Sequence, residues 1–279
     1  MTLIVAKKVA GNIFILADTL LTDPKKIIQE WHLVTPKILI FDNVAIAFAG
    51  VIEPVLNEWG LLPSDLTLDE AKEACLKMKG RYKNQIDFLI VRFSDVSLFQ
   101  FQNNQFQVVE HAWIGNNDAF SKFQSHTLSI LNPIANEVSD VKLSLVWLPS
   151  KNEDFNRVYG RSLCAFLKLL SSSTENYIGG FVVPFLVTSE VARFGSYAWM
   201  NTNIGATSEL LSQTADVWHT VDFKLFSAKS GAFSIELLGS GSGFNIRIPQ
   251  LMKATSWHSP FLEKVEPSGS YFGLSSPKP

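Results

Sequence analysis

With 279 residues and 31.1 kDa, the chain has the length of one large domain or two small ones, and its 47% hydrophobic and 18% charged residues exclude a disordered chain. The 24 Lys and Arg against 26 Asp and Glu leave no broad basic face, so nucleic acid is not an expected partner. Two cysteines, Cys75 and Cys164, stand too far apart for a Cys-x-x-Cys redox or zinc motif.

Met1-Thr2-Leu3-Ile4-Val5 has no basic residues ahead of its apolar run. It reads as a strand, not a signal peptide, which predicts a cytoplasmic protein. Thr2–Val9 and Ile13–Asp18 predict a hairpin around Ala10-Gly11-Asn12. Two registers are open. A two-residue Gly11-Asn12 turn pairs Val5 with Asp18; a three-residue loop pairs Ile4 with Asp18 and puts Asp18 on the face of Thr2. A one-residue slip exchanges faces, so the two readings differ physically. Lys37–Phe41 and Val44–Ala49 predict a second hairpin about Asp42-Asn43, with Lys37 opposite Phe48 and at the same end as Gly50.

Pro54–Trp59 begins as a helix that Pro63 interrupts. Thr67 then N-caps a helix to about Lys79: Thr67-Leu-Asp-Glu70 fits the capping box, and Leu68, Ala71, Ala74, Cys75 and Met78 recur at helical spacing. Ile86–Phe93, Ser97–Gln102 and Phe106–Ile114 read as strands, and Asp118–Leu131 as a helix. Val141–Leu148 fits either a strand or a loop. Phe155–Leu170 reads as a helix, and Gly179-Gly180 opens an apolar strand, Phe181–Thr188. Past Tyr197, strands return at Thr220–Ser227, Phe233–Leu238 and Phe244–Ile248. Gly239–Gly243 reads as a hairpin loop, since no helix with a lysine follows it to cradle phosphate. The stretch from Pro260 reads as a loose tail rich in Pro, Ser and Gly.

Strands, helices, strands, helices and strands follow one another, and the strands look apolar on both faces. That predicts two packed sheets covered by helices. Mean hydropathy is +0.14, yet no apolar run approaches the ~20 residues of a membrane helix, so no membrane is expected. The apolar surplus fits a thick core or surfaces buried between subunits. The five histidines show no metal spacing, and neither a metal nor another cofactor is expected.

Thr2-Leu-Ile-Val5, Gly11, Ile15-Leu-Ala-Asp-Thr19 with Thr22, Pro36-Lys-Ile38 and Ala47-Phe-Ala-Gly50 together resemble the opening of a proteasome β-subunit. They are similar also to the proteolytic subunit of the bacterial ATP-dependent two-component protease. Ile114-Gly-Asn-Asn117 and Gly179-Gly180 extend the likeness. The resemblance implies an α+β, four-layer αββα sandwich of the N-terminal-nucleophile hydrolases over residues 1–197. An additional β-rich segment, 198–259, and the tail, 260–279, have no counterpart in it.

The resemblance implies that Thr2 is the nucleophile after Met1 is removed, with Asp18 and Lys37 as carboxylate and lysine. Gly50 would supply the N–H that stabilises the oxyanion, and Thr22 the backbone that holds substrate as an extra strand. Leu21, Thr35, Leu39, Phe48 and Ile52 would surround an apolar substrate side chain. Where the family has a supporting serine and an aspartate–serine couple, this chain has Asn116, Glu175 and Ile178. The chemistry is coherent on its own terms. A threonine hydroxyl is a weak nucleophile and needs a base. A free α-amine, with a reference pKa of about 7.7–8.0, can serve on the same residue. A neighbouring ammonium favours the deprotonated forms of both, and its own burial requires a carboxylate partner.

The implied activity is peptide-bond cleavage as a threonine endopeptidase. The implied partners are a peptide or protein substrate, further copies in a ring or open homo-oligomer, and an ATP-dependent unfoldase. Two other readings stand beside it: a non-catalytic assembly subunit, which retention of Met1 would favour, and an amidase or acylase on the same fold.

Overall fold

The computed structural model describes residues 2–19, 37–51, 55, 58–59, 61–83, 85–102, 105–130, 141–145, 150–172, 178, 182–190, 192–195, 197–201, 219–227, 232–238 and 242–247. The first hairpin joins β1 (Leu3–Val9) to β2 (Asn12–Asp18). Its turn is Ala10-Gly11, with positive φ of 48° and 80° at the two residues, the left-handed conformation that two-residue hairpin turns require. Ile4 therefore pairs with Ala17, and one step further Leu3 comes level with Asp18. Neither expected register is the one found. Asn12 is drawn out of the turn and into the strand, because its side-chain amide donates to Ser150 Oγ at 3.0 Å.

The second hairpin, β3 (Ile38–Ile40) and β4 (Val44–Gly50), has the expected register: Ile38 pairs with Ala47, and the Phe48 N–H donates to the Lys37 carbonyl at 3.1 Å. The chain continues through α1 (Leu68–Arg81), β5 (Ile86–Arg92), β6 (Ser97–Gln102), β7 (Gln105–Val108) and β8 (His111–Gly115). The expected single strand Phe106–Ile114 is thus two. Val109 still donates to Leu98 in one sheet at 2.9 Å, whereas the Glu110 carbonyl accepts from Lys8 in the other at 2.7 Å. The chain crosses between the sheets at this point. After α2 (Asn117–Ser129), β9 (Val141–Leu145) and α3 (Glu153–Ser172) come β10 (Val182–Val187), β11 (Ala192–Phe194), β12 (Tyr197–Asn201), β13 (His219–Ser227), β14 (Ala232–Leu238) and β15 (Ser242–Arg247).

Two five-stranded antiparallel sheets form the middle of the molecule, ordered β11-β10-β2-β1-β8 and β3-β4-β5-β6-β7. Helix α1 lies on β4 and β5 of the second sheet; α2 and α3 pack together, with α3 against β1, β2 and β10 of the first. This is the expected αββα sandwich. Aromatic packing holds each helix layer to its sheet. Trp59 stacks on Phe88 at 5.7 Å and donates to Met78 Sδ, while Phe14 meets Phe155 and Tyr159 at 5.9 and 5.6 Å. Between the sheets, Gln100 Nε2 donates to the Trp113 carbonyl at 2.9 Å.

The helix ends are capped as local chemistry dictates. Thr67 and Glu70 form the expected capping box on α1. Asn116 Oδ1 accepts from Ala119 at 2.8 Å and starts α2. At the other end of α2, Arg161 Nε donates to the Thr127 carbonyl at 2.7 Å, satisfying an acceptor the helix leaves open.

A third antiparallel sheet is ordered β15-β14-β13-β12-β9. Val141–Leu145 is therefore a strand, and it joins β12, far along the chain. The expected hairpin across Gly239–Gly243 is present, with Leu237 opposite Ser242. Among the described residues, no helix is long and apolar enough to cross a membrane.

Candidate active site

The site begins with a carboxylate that the register buries. Every residue of β2 is buried, Asp18 included, because β1 and β10 flank it on both sides. With Leu3 level with Asp18, the Leu3 N–H donates to Asp18 Oδ1 at 3.0 Å. Lys37, one residue ahead of β3, donates from Nζ to Asp18 Oδ2 at 2.8 Å, and both side chains are 0% exposed. Two charges removed from water need this geometry, and an unpaired one would be costly. Burial raises the Asp18 carboxyl above its ordinary value, and the Lys37 charge and hydrogen bond oppose the rise. Burial likewise lowers the Lys37 ammonium, opposed by Asp18. The pair is poised so that its proton is less firmly held on the lysine than in water.

Thr2 is 4% exposed. Its carbonyl accepts the Asn116 N–H at 2.8 Å. Gly115, at φ +105°, lets the chain approach: a Cβ there would fall 1.9 Å from the Thr2 carbonyl oxygen. Asn116 thus meets Thr2 through its backbone, while its side-chain oxygen caps α2. The same Cβ position on Gly115 lies 3.5 Å from Ala49 Cβ, which brings the end of β4 against the start of β1. Gly50 closes β4 at φ +124°, where a Cβ would meet the Gln85 carbonyl at 2.0 Å. The position needs glycine for its own backbone, beyond any access it gives to substrate.

Leu39 and Phe48 are fully buried. By register they share the Lys37 face of the second sheet, where Phe88 pairs with Phe48. Ile178 is also buried. Met1, Leu21, Thr22, Thr35, Ile52 and Glu175 lie outside the described residues. Among the expected residues, then, Asp18 and Lys37 are in direct contact and adjoin Thr2 through Leu3, and Asn116 holds Thr2. Gly115 is a site residue that sequence reasoning passes over. Its signal was present in Gly115-Asn-Asn117 ahead of a helix, but its reason is a carbonyl contributed by the far end of the chain. Among the described residues, no three His, Cys, Asp or Glu gather to hold a metal ion.

Asp18→Asn gives a pH-dependent stability. Without the carboxylate that raises it, the Lys37 pKa falls further below its ordinary value. The unfolded chain then binds more protons than the folded one between that lowered value and about 10.4, so stability rises with pH across this window. The deficit of the variant against the parent is expected to be full below the folded pKa and to shrink as pH rises. Urea midpoints of both proteins at pH 6, 7.5 and 9 check it; a constant deficit would contradict the expectation.

No protein-family model matches the sequence, and no curated protein matches it. Among solved structures, the chain is similar to Thiobacillus denitrificans BPH in complex with epoxomicin, at 12% identity and a TM-score of 0.45, over 68% of this chain and 100% of that one. The chemistry of the site therefore rests on its own geometry.

Proposed function

We propose that the chain is a threonine-type N-terminal-nucleophile hydrolase that cleaves peptide bonds, with Thr2 as the nucleophile once Met1 is removed. The observation that carries this reading is the buried Lys37–Asp18 pair, hydrogen-bonded to the backbone N–H of the residue next to Thr2. A buried cation beside the start of the chain has no structural need that an apolar residue would not meet better. It does meet the need of a threonine alcohol for a field that favours its alkoxide.

In this mechanism the α-amine of Thr2 takes the proton from its own Oγ, and Oγ attacks the amide carbonyl. The tetrahedral oxyanion forms beside the Gly50 N–H and collapses with loss of the amine, which leaves with the proton that the α-amine carried. Water then attacks the ester carbonyl, again activated by the α-amine, and releases Thr2. Leu39 and Phe48 favour an apolar substrate side chain.

A second reading, a non-catalytic assembly subunit, draws support from Ile178. It is buried where the resemblance implies a serine, and it offers no hydrogen bond. Intact mass of the native protein, with and without a peptide epoxyketone bearing an apolar residue, tests both. That reagent closes a ring on the hydroxyl and free amine of one N-terminal residue. Loss of Met1 and a single adduct on Thr2 is the expected result. Retained Met1 with no adduct would remove the hydrolase and leave the assembly subunit.

A further inference from the structure

Gly50, whose N–H would receive the oxyanion, stands at a strand end supported from one side. Among the described residues, the last contact of β4 with β3 is the bond from the Phe48 N–H to the Lys37 carbonyl. Peptide groups alternate along a strand. Ala49 therefore turns its polar groups to β5, and the Gly50 N–H turns back to the side of Lys37. That direction suits a substrate oxygen, but it leaves β5 as the strand that orients the Ala49–Gly50 peptide. Asp87 pairs with Ala49 and Ile86 with Gly50, and these two residues begin β5. The approach is close: a Cβ on Gly50 would come 3.0 Å from Ile86 Cα.

The start of β5 is fixed in turn by a side chain from the helix layer. Lys79, in the last turn of α1, donates from Nζ to the Ile86 carbonyl at 3.2 Å and to Asp87 Oδ1 at 2.7 Å. Its side chain is 12% exposed, and its ammonium lies 5.1 Å from the centre of the Phe101 ring. A solvated lysine would keep that ammonium in water; this one is drawn in by a carbonyl, a carboxylate and a ring face. Lys79 and Ile86 bracket a short connection in which Lys83 has φ +49°, an uncommon conformation for a residue other than glycine. Among the described residues, no other side chain bonds to the first two residues of β5.

We propose that Lys79 is a positioning residue for the Gly50 N–H: by anchoring the first two residues of β5 to α1, it fixes the peptide beside which the oxyanion forms. This role rests on Thr2 as the nucleophile and Gly50 as the oxyanion donor. Such a donor works over a window of about 2.7–3.1 Å, and a drift of about 1 Å at a reacting centre can cost 10²-fold in rate. The ground-state carbonyl feels little of that drift, so the loss falls on kcat and spares KM.

Lys79→Met keeps the aliphatic stem and removes both bonds, while Asp87, 52% exposed, stays solvated. Lys79→Arg keeps donors for both acceptors. Amide exchange reads the anchor independently of activity, because the Asp87 and Leu89 N–H groups lie in successive bonded pairs with Ala49 and Ala47. In Lys79→Met, exchange at Asp87 is expected to quicken at least ~10-fold with Leu89 unchanged, and Lys79→Arg to restore it. No change at Asp87, or an equal rise at both amides, overturns the proposal. On a fluorogenic peptide with an apolar residue, Lys79→Met is expected to lose about 10-fold in kcat with KM within about 2-fold, and Lys79→Arg to recover it. A peptide aldehyde, whose addition to Thr2 Oγ makes the same tetrahedral oxygen, should bind Lys79→Met about 10-fold more weakly. A cleaving parent with kcat unchanged in Lys79→Met overturns the proposal and leaves Thr2 as the nucleophile. A parent that neither cleaves nor takes the epoxyketone removes the Thr2 reading and the part of Lys79 in catalysis with it, while the exchange rates still decide whether Lys79 anchors β5.

Discussion

Lys37→Met is expected to lose both stability and hydrolysis, whereas the double variant Asp18→Asn/Lys37→Met regains only stability. The single change strands the Asp18 carboxylate, which is 0% exposed and keeps only its bond from Leu3 among the contacts described. Breaking a buried pair from one side typically costs about 3–5 kcal/mol, while replacing both charges by neutral groups is often close to neutral. In the double variant the asparagine side-chain oxygen can still accept the Leu3 N–H, and methionine fills the lysine stem. Urea denaturation should therefore order the parent and double variant together, with the single variant well below. Hydrolysis of a fluorogenic peptide should fall by about 10²–10⁴-fold in both variants, the range for loss of a group that governs proton transfer. A double variant that folds and still cleaves would remove Lys37 from the mechanism. A single variant as stable as the parent would mean that the Asp18 carboxyl is not held as an anion.

Gly115→Ala should be nearly as damaging, for a purely steric reason. The new methyl would sit 1.9 Å from the Thr2 carbonyl oxygen, on a backbone with φ of +105°. The backbone strain alone costs about 1–3 kcal/mol. Relief of the clash pushes residue 2 away from β8 and lengthens its bond from Asn116. A displacement of about 1 Å at a reacting group can cost 10²-fold in rate, so kcat/KM is expected to fall by about that factor. Gly11→Ala is the control. Its φ is +80° and nothing stands within 4 Å of the added methyl, so it should lose stability with no change in kcat/KM. Equal activity in the two variants would show that Thr2 tolerates movement and would count against it as the attacking residue.

How legible each part is depends on how far apart its determinants lie. The capping box of α1 is contained in four consecutive residues and reads directly. The register of the second hairpin follows from Asp42-Asn43 between two alternating runs, and the pairing agrees. The first hairpin resists because Ala10, Gly11 and Asn12 all suit a turn. Ser150 decides among them by holding Asn12 in the strand, and no local pattern contains that contact. The crossing at Val109-Glu110 is hidden within a continuous β-rich run, since the run does not say which sheet each half joins. Thr2, Asp18, Lys37 and Gly50 stand out only through the resemblance that the opening of the chain carries, not through any local signal. The reason for Gly115 stays unread because its constraint comes from the Thr2 carbonyl, just ahead of β1, which the fold alone brings beside it. In the third sheet, β13, β14 and β15 are visible as β-rich runs, whereas β9 fits either a strand or a loop and β12 is not read at all, because the partner that makes each a strand lies some fifty residues away in the chain.

The two inner sheets differ in how much of the chain each must wait for. The second is a simple up-and-down meander, closed within residues 38–108 by pairings between successive strands. The first has to bring residues 13–18 together with residues 182–187, a long-range closure of the kind that slows assembly. Lys37 adjoins the early-completing unit and Asp18 belongs to the late one. A chain that stops short of β10 therefore holds Lys37 while Asp18 still lies on an open edge of its sheet. On that order the Lys37–Asp18 ion pair is expected to be sealed from water only once residues 182–187 have joined the sheet.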